Sequence, residues 1–245
     1  MDRLIWTAVS GMSASMARQR MIASNMANAQ TIGFRAEVMQ FTPMTLKGPS
    51  LEARALSDGA VRGALMNAGV LIQTGRPLDV AVEGEAMLSV QAADGSEAYT
   101  RRGDLAVSPN GVLVNGEGFA VVGEDGPIAL APGSDVSIGP DGAVLVRSRA
   151  DPDAPPQQVG QIKLASRSGS RIEKGLDGLF RVPGGGALPA DASARVRGGT
   201  LEQSNVNPSE VLVEMVEAQR LYDMRTKLVA TAKELDEGGA SLMRI

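Results

Sequence analysis

Cysteine and histidine are both absent from this 245-residue sequence. Together these absences remove thiol nucleophiles, disulfides, Cys/His metal centres and histidine-based triads. Aromatic residues make up only 3% and the formal net charge is −4. Neither a basic field nor a base-stacking surface therefore supports nucleic-acid binding. No apolar run approaches the roughly 18 residues a membrane-spanning helix needs. The opening residues carry Asp2, Arg3, Arg18 and Arg20 and lack the apolar centre of a secretory signal. Export, if it occurs, is expected to proceed without N-terminal cleavage.

What remains is the composition of a folded protein, 43% hydrophobic and 21% charged, sufficient for a sizeable core. The order of signals is helix, loop, β-rich middle, helix, which defines an α+β class. Residues 1–35 read as an N-terminal helix, 36–76 as an extended linker, 77–200 as a β-rich domain and 201–245 as a C-terminal helix.

The first helix shows apolar or small residues at alternating steps of four and three: Ile5, Val9, Met12, Met16, Ala23 and Met26, with Gln19 in register. That is a heptad-like seam. Ser10, Gly11, Ser13, Ala14 and Ser15 run beside it, small enough to admit a close neighbour. Seven of the twelve methionines lie in the first 44 residues, as an adaptable contact surface would have them. "SNMANAQTIGFR" ends this helix: Asn25 and Asn28 close it, Thr31 and Gly33 supply a turn, and Phe34 anchors the chain beyond.

At the other end, Asn207 is an N-cap, Pro208 the first helical residue and Glu210 the capping-box partner. Leu221, Leu228 and Leu235 recur every seven residues with Ala218, Arg225 and Ala232 between them, and Met215, Tyr222 and Val229 form a second column. The stripe is wider than a two-helix seam requires. Gly238-Gly239 is expected to end the helix. Each helix would be about 40 Å long, and the two are expected to pair as a coiled coil.

The middle reads as short strands. "LDVAVEG" alternates Leu78, Val80 and Val82 against Asp79, Ala81 and Glu83, as a half-buried strand does. "SPNGVLVN" and "GPDGAVLVR" place Asn-Gly and Asp-Gly before apolar runs, a hairpin signal. Further strands are expected at 86–91, 118–123, 159–165 and 178–182, with a loop at 150–158, giving a barrel- or sandwich-like domain.

Candidate chemistry is sparse. Asp79, Glu83 and Glu85, with Asp104 behind Arg101 and Arg102, are carboxylates at strand spacing, and they read as a solvated strand face and turn rather than an acid–base pair. "VPGGGALP" lacks the lysine and helix start of a phosphate loop. No catalytic, cofactor-binding or metal-binding residue is assigned, and an enzyme is not expected.

The two terminal motifs, taken together, resemble the signatures of bacterial flagellar rod and hook proteins. At the N-terminus the match runs through Asn25, Ala27, Asn28, Thr31, Gly33 and Phe34. At the C-terminus, "LEQSNVNPSEVLVEMVEAQRLYD" matches through Ser204, Asn205, Val206, Asn207, Pro208, Met215, Gln219, Arg220 and Tyr222. The stretch from Gln73 to Val114 is similar to the β domain of that family, departing from its usual Gly-Phe-Phe run at "GEAMLSVQ". The opening and closing sequences look most like the proximal rod members, with the distal rod members next. The resemblance implies a structural subunit of the basal-body rod, polymerising helically with its own copies and other rod proteins into a drive shaft and export channel. It also implies passage through the flagellar type III apparatus and a final place in the periplasmic rod. A cell-wall-binding or carbohydrate-active β domain with helical arms is the alternative of a different class.

Overall fold

The protein is described by a computed structural model over residues 2–45, 55–131, 135–148 and 155–242; the side chains of 2–8, 40–45, 55–62, 232 and 235–242 lie outside that description. Helix α1 (Asp2–Ala27) is followed by β1 (Glu37–Thr45), β2 (Ala55–Ala64), β3 (Leu71–Gln73), β4 (Val80–Val82), β5 (Met87–Gln91) and β6 (Glu97–Thr100). The chain continues through β7 (Ala106–Val107), β8 (Leu113–Val114), β9 (Ala120–Gly123), β10 (Gly126–Pro127), β11 (Asp135–Ile138) and β12 (Ala143–Arg147). Then come β13 (Gln157–Gln161), β14 (Leu164–Ala165), β15 (Glu173–Lys174), β16 (Phe180–Arg181), β17 (Val196–Gly198) and β18 (Thr200–Glu202), before helix α2 (Pro208–Leu242). Terminal helices around a β-rich middle are the α+β arrangement expected from the sequence.

The chain forms two compact units. One comprises Met1–Asn28, Glu37–Gly63 and Val206–Ile245, and the other Ala29–Ala36 and Ala64–Asn205. In the helical unit, α1 and α2 pack together in opposite directions. Arg225 of α2 reaches Gly11 and Ser15 of α1, whereas Gln219 meets Gln19, so rising numbers on one helix meet falling numbers on the other. Helix α2 starts as anticipated. Asn207 Oδ1 accepts the Ser209 N–H at 3.1 Å, satisfying a donor the first turn leaves unpaired, and the Asn207 carbonyl accepts the Val211 N–H at 3.1 Å as the first bond of the helix ladder. It does not stop at Gly238-Gly239 but runs on to Leu242. Each glycine weakens a helix by about 1 kcal/mol yet, unlike proline, keeps its N–H for the ladder.

In the β unit a nine-stranded antiparallel sheet runs β15-β16-β6-β5-β9-β8-β7, with β10 beside β9 and β14 beside β5. A three-stranded sheet β11-β12-β13 and the pairs β17-β4 and β18-β3 complete the unit. No sheet among the described strands closes on itself, so the expected barrel does not form as a closed cylinder. The two predicted turns are present, with positive φ at Gly111 and Gly142. The strand expected at 159–165 is two strands, β13 and β14, in different sheets.

The core explains the apolar pattern. Val80, Val82, Leu88, Leu113, Val121, Val144, Ile162 and Val196 form one buried cluster, and Met87, Tyr99, Phe180 and Leu188 form another. Neighbouring Met87 and Leu88 thus serve opposite faces of β5, both fully buried. That is why "GEAMLSVQ" shows no polar alternation. Strand β4 also differs from its expected half-buried state: Asp79, Val80, Ala81 and Val82 are all buried, because this short strand has no solvent face.

The segment 36–76, expected as a linker, instead carries β1, β2 and β3, with β1 and β2 paired in a sheet of their own. All three residues of β3 are exposed, so no in–out alternation marks it as a strand. Its partner β18 lies near the other end of the sequence, in register Thr200↔Gln73 and Glu202↔Leu71.

Tyr99 gives the β core a spectroscopic handle. Its ring is fully buried and its hydroxyl oxygen accepts the Leu188 N–H at 2.5 Å. Burial pushes its pKa up to about 12. The folded state therefore keeps a proton that the unfolded chain releases near pH 10, so this contribution to stability is lost as pH rises from about 10 to about 12. In an absorbance titration of phenolate, the Tyr99 signal is expected only near pH 12 or on alkaline unfolding. Tyr99→Phe should delete it; a Tyr99 phenolate at pH 10 in the folded protein would contradict this assignment.

Candidate functional site

The N-terminal motif is divided between the two units. In the helical unit, Asn25 is buried and its side-chain amide treats Glu37 as a strand partner would. The Glu37 N–H donates to Asn25 Oδ1 at 2.7 Å and Asn25 Nδ2 donates to the Glu37 carbonyl at 3.0 Å. Asn28 closes α1, its backbone N–H and its Nδ2 both donating to the Ser24 carbonyl, at 3.0 and 2.9 Å.

From residue 29 onward the motif belongs to the β unit. The Phe34 N–H donates to the Thr31 carbonyl at 3.2 Å, forming the expected turn, and Gly33 sits within it at φ +67°. A Cβ there would lie 2.4 Å from the Arg101 carbonyl carbon, so sterics and dihedral both demand glycine. The Phe34 ring lies beneath Lys174, with Nζ 3.5 Å from its centroid, and Nζ also donates to the Arg35 carbonyl at 3.0 Å.

At the centre is a buried ion network absent from the sequence expectations. Glu202 is 1% exposed, and its carboxylate lies between two guanidinium groups, Arg35 (1%) and Arg101 (3%). Glu202 Oε1 is 2.5 Å from Arg35 Nη1 and also accepts the Gly69 N–H at 2.8 Å, and Oε2 accepts Arg101 Nε at 3.0 Å. Arg101 donates further to the carbonyls of Ala86 and Gly84, and Arg35 to that of Asn67 at 2.7 Å. Burial lowers the pKa of Arg101 and Glu202 opposes the shift, while nearby Arg35 adds to it. Asn205 completes the arrangement. Its Oδ1 accepts the Ala36 N–H at 2.7 Å, and its Nδ2 donates to the carbonyls of Leu65 and Asn67 at 2.8 and 2.9 Å.

The helix pair is the second candidate surface. Ser15, Met21, Ile22 and Asn25 are the buried described positions of α1, and Val211 and Ala218 those of α2. Of the seam read from apolar spacing, Met12 and Met26 are half-buried, whereas Val9, Met16 and Ala23 are exposed. On α2, Ala218 is buried, Leu221, Tyr222 and Val229 are half-buried, and Met215 and Leu228 are exposed. The side chains of Ile5 and Leu235 lie outside the described residues. Apolar spacing by itself does not reveal that Ser15, from the small-residue run, and Arg225, from the leucine column, hydrogen-bond across the helix pair. The structure adds Leu212, Val213, Val216 and Met224 to the exposed apolar face, with Val213 60%, Met224 59% and Leu228 68% exposed.

The acidic cluster has structural partners. Glu83 pairs with Arg197, Glu85 with Arg167 and Asp104 with Arg102, and Asp79 accepts the Thr74 hydroxyl at 2.7 Å. Among the described residues no group of three or more His, Cys, Asp or Glu side chains is placed to hold a metal ion. No described helix is long and apolar enough to cross a membrane.

Three family profiles match the chain in sequence order. Residues 5–35 match "Flagella basal body rod protein", 81–146 match "Flagellar hook protein FlgE/F/G D1 domain" and 197–242 match "Flagellar basal body rod FlgEFG protein C-terminal". The flagellar basal-body rod protein FlgF of Salmonella typhimurium (strain LT2) is 39% identical over 247 residues, covering 98% of each chain. The chain belongs to the flagellar basal-body rod protein family. The FlgF protein of Escherichia coli (strain K12) is 38% identical, covering 96% of this chain and 95% of its own. The rod protein FlgG of Agrobacterium fabrum (strain C58) is 31% identical, covering 95% and 96%. Identity is thus higher to these FlgF proteins than to that FlgG. The family is structural and not enzymatic, in keeping with carboxylates tied to basic and hydroxyl partners.

Gly33 of the N-terminal motif and Gly11 of the first helix should respond oppositely to the same change. Gly33→Ala is expected to destabilise the β unit by at least about 1–3 kcal/mol, the range for strained backbone, with the steric clash adding to it. Gly11→Ala should be tolerated, since its Cβ would meet Arg225 at 3.7 Å, an ordinary contact, and should raise helix stability by about 1 kcal/mol. Urea denaturation followed by circular dichroism separates the two; equal effects would refute the steric account. Glu202→Ala leaves two buried cations short of their carboxylate and should cost about 3–5 kcal/mol in the same assay.

Proposed function

We propose that this chain is a structural subunit of the flagellar basal-body rod, of the kind named FlgF in Salmonella and Escherichia coli. In this reading it polymerises helically with its own copies and with other rod proteins, forming part of a drive shaft and its export channel. α1 and α2 form a coiled coil whose second apolar face is covered by neighbouring subunits. The observation that carries the reading is the exposed stripe of Leu212, Val213, Val216, Met224 and Leu228 on α2, with Val9 and Met16 on α1. Single exposed apolar residues are ordinary, but a run of them along one helix suggests a contact surface.

A head-to-tail contact between non-identical faces does not close on itself and generates a helical filament. Long helices lacking tertiary cover are marginal alone, and ordering them only on assembly holds back premature polymerisation. The chain is taken to reach the periplasmic rod through the flagellar type III apparatus without cleavage. The higher identity to FlgF than to FlgG favours the proximal position over the distal one.

Deletion tests the model provided the cuts respect the two units. Residues 29–36 and Asn205 belong to the β unit, so the informative deletions are 1–28 and 206–245. Either should abolish incorporation into purified basal bodies and motility while the β unit keeps its circular dichroism spectrum. Functional flagella built from either deletion would overturn helix-mediated assembly.

A further inference from the structure

Residues 29–36 contain no strand, so individual groups must hold them in the β unit. Four consecutive residues, Gly33 to Ala36, reach one place. The Gly33 N–H donates to the Glu202 carbonyl at 2.7 Å, and the Phe34 carbonyl accepts the Asn205 N–H at 3.3 Å. Arg35 pairs with the Glu202 carboxylate, and the Ala36 N–H donates to Asn205 Oδ1. The C-terminal motif is held in turn by residues 64–74. The Gln203 N–H donates to the Val70 carbonyl at 2.9 Å and the Thr74 N–H to the Gly199 carbonyl at 2.8 Å, beside the β3–β18 pairing. The Leu65 N–H donates to the Ala36 carbonyl at 2.8 Å, which joins the three segments.

We propose that the two terminal motifs are the halves of a two-ended latch: residues 29–36 and 199–205 order and open as one cooperative unit, and the β unit is complete only when both are in place. The physical reason is that neither half can leave alone without stranding buried polar groups. Without 199–205, the Gly33 and Ala36 N–H groups lose their acceptors and the Arg35 guanidinium loses its carboxylate. Without 29–36, Glu202 keeps only one of its two cations and the Asn205 amide oxygen loses its donor. Unpaired buried groups of this kind are costly, whereas opening both halves together returns them all to water. Loop closure adds to the coupling. Ala36 and Asn205 are 169 positions apart, so the first bond bears the entropy of closing that loop and later bonds form almost free of it. The latch lies within the β unit and does not depend on the rod assignment.

Native-state amide hydrogen exchange on the full chain, resolved by residue with NMR, tests the idea. In the unmodified protein the amides of Gly33, Ala36, Gly69 and Gln203 are expected to share one opening equilibrium, as members of a cooperative unit do. Opening constants for Gly33 and Gln203 differing by more than about tenfold would overturn the latch. Asn205→Ala supplies the perturbation, read at Gly33 and Gly69, neither of which bonds to Asn205. Exchange at both should accelerate together by about fivefold or more, as loss of a hydrogen bond worth about 1 kcal/mol implies. Acceleration confined to Ala36 would show independent contacts and sink the proposal. Should that variant fail to fold, the comparison within the unmodified protein still decides between the two outcomes.

Discussion

The carboxylate of Glu202, held between the guanidinium groups of Arg35 and Arg101, is the constraint around which the β unit is arranged. A buried ion network of this kind contributes little net stability compared with a well-packed apolar substitute, but breaking it is expensive. The result is a requirement on chain path more than a source of binding energy. Arg35 must come from just beyond the first helix, Arg101 from beyond β6 and Glu202 from the end of β18, and all three must arrive in register. Gly33 follows from the same requirement, because the turn that delivers Arg35 passes so close to the Arg101 backbone that no side chain fits.

The two units divide the physical work. The β unit has its own apolar core, with β5 buried on both faces and Tyr99 held in place through Leu188. The helical unit is built differently. Arg225 and Ser15 occupy positions where a simple coiled coil would place apolar side chains, while several large apolar residues of α2 remain exposed. A fold that keeps polar groups in its own seam and apolar ones outside is suited to completion by other chains. This agrees with membership of the rod protein family and with the assembly proposed above.

Much of this was legible locally. Both helices were marked by period and caps: Asn28 closes α1 and Asn207 opens α2 through hydrogen bonds a few residues long, so the signal and its cause share one stretch of sequence. The Asn-Gly and Asp-Gly turns were legible for the same reason. The strands of 36–76 were not, because β3 has no buried face and owes its existence to backbone bonds with β18. Nor did the motif residues reveal that Asn25 serves the helical unit whereas Gly33, Phe34 and Asn205 serve the β unit.

The sequence by itself determined the two terminal helices and the Asn-Gly and Asp-Gly turns of the middle, the lack of thiol and imidazole chemistry, and the paired terminal motifs that mark the family, since each depends on residue type or short-range spacing. Only the tertiary structure decided which charges pair, which helix face is covered and where the two units divide. Those outcomes rest on contacts between residues more than a hundred positions apart, such as Arg35 with Glu202 and Ser15 with Arg225. A glutamate in "LEQSN" looks the same in sequence whether it is solvated or buried between two arginines. The difference lies in the folded path of the chain, which brings desolvated charges together where leaving them unpaired would be too costly.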